Sequence, residues 1–574
     1  MPEICRRPMA DVSHLPADMP DLLKQIYARR GVSDLAQLER GAQAMLPYNQ
    51  LSGVEGAVEL LLDALAKQLK ILIVGDFDAD GATSSALLTS GLPQFGFQQV
   101  EFLVPNRFEY GYGLSPEIVE LAAAKGAQLI ITVDNGISSI SGVERATALG
   151  IPVLVTDHHL PGEQLPKAAA IVNPNLNDCG FPSKNLAGVG VAFYLLVALR
   201  AEMRKRNLFA QLQQAEPNLG NLLDLVALGT VADVVPLDSN NRILVHQGLQ
   251  RIRAGACRPG IQALIEVAKR QQSRMVASDL GFAIGPRLNA VGRLDDMSLG
   301  IECLITQDIN HARRLASEMD ALNVERKEIE LSMQQEAEAA VEALSLDQQS
   351  LPLALSLYRP DWHQGVVGLV ASRIKERFYR PVFAFAQADN GELKGSGRSI
   401  PGVHLRDMLE RLDTTHPGLL LKYGGHAMAA GLSIPEARFD EFKEKLSALA
   451  EQWIEQEQLT HTLLSDGELD EQYLNLDFAQ LLREAGPWGQ AFPEPLFDGV
   501  FELCSQRVVG ERHLKLSLRP QTGGPELDAI AFNVDRARWP DASIRWVHIA
   551  YKLDVNEFRG RRSVQLMVEN LEPR

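Results

Sequence analysis

Three carboxylates at alternate positions, Asp76, Asp78 and Asp80, close the apolar run Ile71 to Val74 in 71-ILIVGDFDADGATSSALLTS-90. Gly81 and the small residues Ala82 to Ala86 follow, a composition that opens a helix. Acids crowded at the end of a buried strand repel one another and are costly to desolvate. Such a cluster is stable mainly with something positive among them, and a hard divalent cation fits. Groups of the same chemistry recur downstream: Asp134 in 132-TVDNG-136, Asp157, His158 and His159 in 156-TDHH-159, and Asp233 in 232-ADVVP-236.

Singly, these signals are weak. Asp76-x-Asp78-x-Asp80-Gly81 matches the start of a calcium-binding helix-loop-helix, but the twelfth loop position is Leu87 rather than Glu and a strand precedes it. A strand followed by Asp-x-Asp also fits a phosphatase with an aspartyl nucleophile. Alone, the cluster divides evenly between a metal site and a polar turn. Asp134 could as well cap the next helix. Two histidines after an acid at a strand end favour a metal or phosphate role over core packing. Asp233 by itself is uninformative.

The elements that must position these groups follow from periodicity. A helix is expected over 53–69 and strands at 71–74, 100–105, 129–134, 151–157 and 169–172, with helices at 115–126 and 139–149 between them. Short, near-continuous apolar strands alternating with helices imply a parallel sheet covered on both faces. Ligands in such sheets bind beyond the carboxyl ends of the strands, where the acids and histidines lie. Helices are expected at 186–207, 221–237 and 242–268. A long charged helix over about 309–344 reads as a solvated spacer. A second α/β unit starts near 352, with a strand at 353–357, a helix at 365–378, a strand at 381–386, a loop at 394–400, the glycine-rich 424-GGHAMAAG-431 and acidic helices at 437–458. The end of the chain has short alternating stretches at 513–518, 528–533, 545–555 and 562–571, the pattern of a small β-barrel.

Bulk properties bound the rest. At roughly 100–200 residues per domain, 574 residues imply three or four domains. No apolar run reaches the ~20 residues of a membrane span, and 1-MPEICRRPMADVSHL-15 lacks the apolar core of a signal peptide. Five dispersed cysteines with no Cys-x-x-Cys pair fit a reducing compartment, so a cytoplasmic protein is expected. A net charge of −17 argues against a nucleic-acid-binding surface over the whole molecule but leaves room for a local basic groove.

In order, the four acidic motifs resemble those of the DHH phosphoesterase family, which takes its name from the third. The resemblance implies a site holding two Mn²⁺ or Mg²⁺ ions that hydrolyses phosphate esters or anhydrides. Asp78 matches the ligand of one metal, Asp134 the carboxylate bridging both, and Asp80, His158 and Asp233 the remaining ligands of the second. His159 matches the histidine facing the phosphate, and Asp157 steadies its neighbours. Many branches carry His four residues before the position of Asp78. Here that residue is Val74, and Asp76 is expected to take over as a ligand of the first metal. The 424–431 segment resembles the glycine-rich signature of the DHH-associated second domain, where backbone approaches phosphate. Gly424 and Gly425 suit that task, while the plainer reading is a tight turn around a buried His426.

Length separates the family's branches, and this chain exceeds the two-domain small-substrate enzymes by a long helix, a β module and a lead-in. The segments 105-PNRFEYGYGL-114, 285-GPRLNAVGRLDD-296, 362-WHQGVVGLVASRI-374 and 394-KGSGRSIPGVHL-405 resemble the branch that degrades single-stranded DNA from its 5′ end. That implies a 5′-phosphate pocket from Arg107, Arg287, Ser396 and Arg398, with His363 and Arg373 lining the same cleft and Asn289 among the substrate-binding residues. The barrel would grip the trailing strand, with Arg559, Arg561, Arg562, Trp546, Tyr551 and Phe558 as candidates. The expected organisation is a lead-in (1–50), a parallel-sheet DHH domain (51–305), a connecting helix (306–350), a DHH-associated α/β domain (351–460) and an OB-like β-barrel (461–574). Implied partners are single-stranded DNA, a single-strand-binding protein and a RecQ-type helicase, with no membrane and a monomeric state. The alternatives are a phosphodiesterase or pyrophosphatase acting on short oligonucleotides or small phosphates, and an inactive scaffold. The complete ligand set argues against the scaffold.

Overall fold

The computed structural model describes residues 2–105, 113–348, 351–388, 391–510, 512–558 and 560–574, side chains at 344–348 and 558 apart. The chain forms two compact units, Arg6–Asn323 with Ser465–Arg574, and Met1–Cys5 with Val324–Leu464.

Strand β1 (Glu3–Arg6) belongs to a two-stranded ribbon completed late in the chain. The larger unit carries an all-parallel sheet of β2 (Ile71–Gly75), β3 (Val100–Leu103), β4 (Leu129–Val133), β5 (Val153–Thr156) and β6 (Ala170–Val172), in the order β3-β2-β4-β5-β6. Every residue of β2 and β4 is buried. Their side chains alternate between two cores. Ile71 and Ile73 pack with helices Val54–Lys67 and Gly188–Lys205, while Leu72 and Val74 pack with helices Pro116–Ala124 and Ile140–Ala148. The strand order reverses between β3 and β4, on either side of β2. The carboxyl ends of β2 and β4 therefore flank the crevice that such sheets leave for ligands.

Residues 242–268, expected as one helix, form two, Ser239–Arg253 and Pro259–Val267. Gly255 at φ 74° and Pro259 at a helix start explain the break. Helix Ile309–Gln348 is not a solvated spacer. Ala312, Leu315, Ala316 and Met319 enter the core of the larger unit, and Met333, Ala337 and Val341 enter that of the smaller.

The smaller unit contains β7 (Leu355–Arg359), β8 (Val382–Gln387), β9 (Glu392–Arg398), β10 (Lys422–Gly425) and β11 (Ala429–Pro435), ordered β10-β11-β9-β8-β7. The loop expected over 394–400 is mostly strand β9. Gly395 and Gly397 there lie against Phe385 and Phe383, which leave no room for a side chain. Strand β12 (Thr462–Ser465) then pairs with β1. The last segment is a closed barrel of β13 (Phe497–Val509), β14 (His513–Pro520), β15 (Leu527–Ala531), β16 (Trp546–Phe558) and β17 (Arg561–Pro573), ordered β13-β14-β15-β17-β16 with β15 and β17 parallel. This is the five-stranded OB topology.

Helix Asp21–Ala28 ties the lead-in to the approach to that barrel. Tyr27 Oη donates to the Ala485 carbonyl at 2.9 Å. Arg30 and Asp466, both almost fully buried, form a two-bond pair at 2.7 and 3.1 Å, and the guanidinium lies 5.4 Å from the Trp488 ring centre. Removing one member of a buried pair strands the other, so Arg30→Ala is expected to cost about 3–5 kcal/mol. Denaturant unfolding followed by tryptophan fluorescence measures this. A loss below about 1 kcal/mol, the level of a surface pair, contradicts the anchoring role.

Candidate metal centre

The acids sit where β2, β4 and β5 deliver them. After Gly75 the chain turns through Asp76, whose Oδ1 accepts the Phe77 N–H at 2.7 Å. Asp78 is the N-cap of helix Ala79–Gly91 and accepts the Asp80 and Gly81 N–H groups at 3.0 Å each. Asn289 Oδ1 takes the Ala79 N–H at 2.8 Å. Donors that a helix start leaves open are thus met by a carboxylate and a carboxamide. Asp80 is buried and accepts the Gly188 and Val189 N–H groups at 2.6 and 2.9 Å, at the start of a second helix, Gly188–Lys205. Position 188 requires glycine, because a Cβ there would lie 2.7 Å from Asp134 Cβ and 3.0 Å from Asp80 Oδ2.

Asp134 follows β4 with φ 60°, a left-handed conformation that costs a non-glycine residue energy and is typical of functional sites. The next residue, Asn135, is buried and donates to the carbonyls of Val74 and Val133, which holds the turn between β2 and β4. After β5, Asp157 accepts the N–H groups of Ile137, His158 and His159, and its Oδ1 lies 2.8 Å from His159 Nδ1. Asn173 and Asn175 donate to the carbonyls of His159 and His158, so the His-His turn is bonded from both sides. His158 Nε2 lies 3.1 Å from Asp134 Oδ1, 3.5 Å from Asp233 Oδ2 and 3.9 Å from Asp80 Oδ2. Asp233 ends helix Leu223–Ala232 and precedes Val234 at φ 61°, a second strained position for a β-branched residue.

Three sets of donors each gather their ligand atoms within 4.8 Å: Asp76, Asp78 and Asp134; Asp80, His158 and Asp233; and Asp134, His158 and His159. Asp134 therefore belongs to two of them. Burial, reinforced by the Asp78 charge, pushes the Asp80 carboxyl up to about 7 against the pull of its two backbone donors. Burial, and then the charge of Asp80, raises Asp134 and Asp233 well above the carboxylate range. Burial also works against ionisation of Asp157, but its hydrogen bond with His159, the charges of both histidines and the Ile137 N–H together hold it low. Burial works against the charged form of His159, but its bond with Asp157 and the charges of Asp157, Asp76 and Asp78 together outweigh it and lift the imidazole to about 9. Oxygen-rich donors with one central imidazole, crowded enough to resist their own ionisation, fit hard divalent cations.

The other expected site residues divide. Arg287 is paired with Asp320 at 2.7 Å, on helix Gly285–Leu294. Asn289, on the same helix, is the residue that accepts the Ala79 N–H. Arg107 lies outside the described residues. In the smaller unit, Arg398 and Ser396 lie on β9 with Nη1 and Oγ 2.9 Å apart, and both would touch any side chain placed at Gly368. Among the described residues no carboxylate lies within 4.0 Å of Arg398, and burial lowers its pKa. Arg373 pairs with Glu330 at 2.9 Å and Glu376 at 3.3 Å. His363 Nδ1 takes the Gly365 N–H at 3.1 Å. Gly424 and Gly425 end β10, Gly425 at φ 137°, and His426 is exposed rather than buried. Sequence reasoning passed over Gly188, Asn173 and Asn175. The runs 187-AGVG-190 and 172-VNPN-175 were the available signals.

The sequence matches the DHH family, N-terminal domain, over residues 70–230, the DHHA1 domain over 351–456 and the RecJ OB domain over 465–570. It is 63% identical to a single-stranded-DNA-specific exonuclease RecJ of Dickeya dadantii and 60% identical to that of Escherichia coli. Each alignment covers 100% of this chain and 99% of the relative. The fold is similar to the crystal structure of RecJ in complex with Mn²⁺ from Thermus thermophilus, with a TM-score of 0.77 at 31% identity over 96% of this chain and 76% of that one. A second structure of that protein, with Mg²⁺, has a TM-score of 0.72 at 29% identity, over 96% of this chain and 74% of that one.

Two outcomes follow from the site. Gly188→Ala displaces Asp80 or Asp134 and is expected to lower kcat about a hundred-fold while the circular dichroism spectrum stays that of the wild type; near-normal turnover contradicts the packing. With chelator present, raised carboxyl pKa values mean the folded state binds more protons than the unfolded one. Melting temperature should then fall as pH rises from about 4, the unfolded carboxylate value, to about 7, and Mn²⁺ or Mg²⁺ should abolish that fall. A metal-free melting temperature that rises across this window contradicts the reading.

Proposed function

The chain belongs to the RecJ family of single-stranded-DNA-specific exonucleases, and on that premise we propose that it removes nucleotides from the 5′ end of single-stranded DNA by metal-dependent hydrolysis, releasing 5′-mononucleotides. The observation that carries the chemistry is Asp134, whose ligand oxygen gathers with Asp76 and Asp78 and whose Oδ1 also lies 3.1 Å from His158 Nε2, a member of the Asp80–His158–Asp233 set. Asp76 and Asp78 would complete one ion's ligands, and Asp80, His158 and Asp233 the other's. Bound divalent cations supply acidification of water and charge neutralisation at the phosphodiester.

The chain's own groups do the rest. Asp157 keeps His159 protonated near neutral pH and fixes its ring, which leaves the second ring nitrogen to donate to a phosphate oxygen. Gly188 and Val189 hold Asp80 in place against the repulsion of its neighbours. Arg398 with Ser396 offers a guanidinium and a hydroxyl to the terminal phosphate, supported by the lack of a carboxylate partner among the described residues. Gly424, which has open space around it, and Gly425 allow phosphate to approach backbone, with His426 exposed beside them. Arg373 and His363 would support Arg398 and Ser396, while Arg287, Asn289 and Arg107 would contribute to substrate binding from the larger unit. Action in DNA repair and recombination, in the cytoplasm, beside a single-strand-binding protein and a RecQ-type helicase, completes the proposal. Among the described residues no helix is long and apolar enough to cross a membrane. The small-substrate phosphodiesterase reading has no observation in its favour, since it leaves the barrel without a role.

The test is a set of end-labelled strands with Mn²⁺ or Mg²⁺. A 5′-labelled single strand should lose its label as mononucleotide at once, a 3′-labelled one should shorten progressively, and a blunt duplex should persist. Equal decay of the duplex, or early loss of the 3′ label, contradicts the proposal. Asp134→Asn should abolish turnover while retaining strand binding. Arg398→Gln should reduce the preference for a 5′-phosphorylated over a 5′-hydroxyl strand by about ten-fold, the scale of one charge-assisted bond of 1.5–3 kcal/mol. An unchanged preference removes Arg398 from the phosphate grip.

A further inference from the structure

Several barrel residues expected to hold the trailing strand are engaged elsewhere. Tyr551 is 1% exposed in the barrel core, and Arg559 lies outside the described residues. Arg562 donates to Gln480 at 2.5 Å, and Glu557 is ion-paired to Arg274. Gln480 lies on helix Leu476–Ala485, which precedes the barrel. Both contacts lead to a junction, inside the larger unit, of that helix, helix Ser239–Arg253 and the lead-in.

Three arginines converge there, one from each segment. Arg483 Nη2 donates to the Arg274 carbonyl at 3.0 Å, and Arg253 Nε donates to the adjoining Met275 carbonyl at 2.7 Å. Arg40 donates to the carbonyls of Glu484 and Ala485, the residues after Arg483, at 2.8 and 2.6 Å. Gln247 Nε2 donates to the Arg40 carbonyl at 2.6 Å, and His246 precedes it on helix Ser239–Arg253. All three arginines are half-buried. The single bonds of Arg253 and Arg483 leave most of each guanidinium fork for another acceptor.

No carboxylate answers this charge. Among the described residues none of the three arginines has one within 4.0 Å. The acids nearby are engaged. Asp279 pairs with Arg270 at 3.2 Å, Glu557 pairs with Arg274, and Glu484 accepts the Gln480 amide at 2.5 Å. Burial, then the charge of Arg483, lowers the pKa of Arg253. Burial, then the charges of Arg40 and Arg253, pushes the His246 imidazole down to about 4. Carbonyl bonds orient the guanidinium groups without neutralising them, so the cluster repeats the carboxylate crowding of the metal centre with the sign reversed. A carboxylate has oxygens for one or two guanidinium forks. A tetrahedral phosphate has enough oxygens and charge for three forks arriving from different directions.

We propose that Arg40, Arg253 and Arg483 form a binding site for a small phosphate-bearing anion, either inorganic phosphate or a nucleotide monophosphate. It uses none of the metal-centre residues. The bound anion would tie together three segments that are distant in sequence: the lead-in, helix Ser239–Arg253 and the helix before the barrel.

The experiment titrates inorganic phosphate into the full-length chain with Mg²⁺ at constant ionic strength and follows amide hydrogen exchange by mass spectrometry. Phosphate should slow exchange in residues 36–44 and 476–486 in a saturable way. Arg253→Gln and Arg483→Gln should each raise the half-saturating concentration about ten-fold. Arg483→Lys should recover part of that loss, and Arg398→Gln should leave the wild-type value unchanged. Thymidine 5′-monophosphate should protect the same segments, and thymidine should not. Stronger protection by the nucleotide than by phosphate assigns the site to nucleotides, and equal protection assigns it to the phosphate group alone. A wild-type chain that phosphate does not protect at these segments overturns the site, and this reading stands even where a Gln variant does not fold. Protection that survives both Gln substitutions overturns it too. So does protection by a long single strand with none by phosphate, which would make the arginines part of a polyanion surface.

Discussion

Carboxylate crowding at one edge of a parallel sheet is the constraint on which the rest of the larger unit depends. Asp76, Asp78, Asp80, Asp134 and Asp233 converge in a largely buried site, and burial, reinforced by the charges of their neighbours, moves three of them out of the normal ionisation range. The fold counters this with oriented backbone. The ends of β2 and β4 meet the starts of helices Ala79–Gly91 and Gly188–Lys205, so positive helix ends face the acids. The partial compensation leaves a deficit of positive charge that hard cations can fill. An apolar core on both faces of the sheet makes the arrangement rigid enough to tolerate strained backbone at Asp134 and Val234.

Much of this was legible in the sequence, for identifiable reasons. Buried parallel strands are short continuous apolar runs, so β2, β4 and β5 could be located along with the acids at their ends. The barrel was visible from alternation in β14 to β17, although β13 was not anticipated. What failed was what depends on distant partners. The charged helix Ile309–Gln348 looked solvated because its buried residues are spaced among many charges, and only the cores it enters reveal their purpose. Strand β9 looked like a loop because glycines are poor strand formers, yet Phe383 and Phe385 demand them there.

Within the site the legible part was the set of side chains that bear chemistry. The illegible part was the set that holds them. Gly188 matters because it lacks a side chain, and Asn173 and Asn175 act through carbonyls of residues that are distant in sequence. Arg287 and Arg373 illustrate the converse. Their residue type suits phosphate, but the structure gives both of them carboxylate partners, whereas Arg398 has none among the described residues.

The clamp between Arg30 and Asp466 has a consequence for how the molecule is made. Its two members are 436 residues apart in sequence, and translation proceeds at roughly 5–20 residues per second. The lead-in therefore waits some tens of seconds after leaving the ribosome before its partner exists. The acids from Asp76 to Asp233 emerge much earlier and can assemble with their sheet in the meantime. A nascent chain that stops before Asp466 could thus carry every metal-binding side chain while Arg30 still lacks its partner. Completion of synthesis, rather than formation of the catalytic sheet, is the event that closes the larger unit.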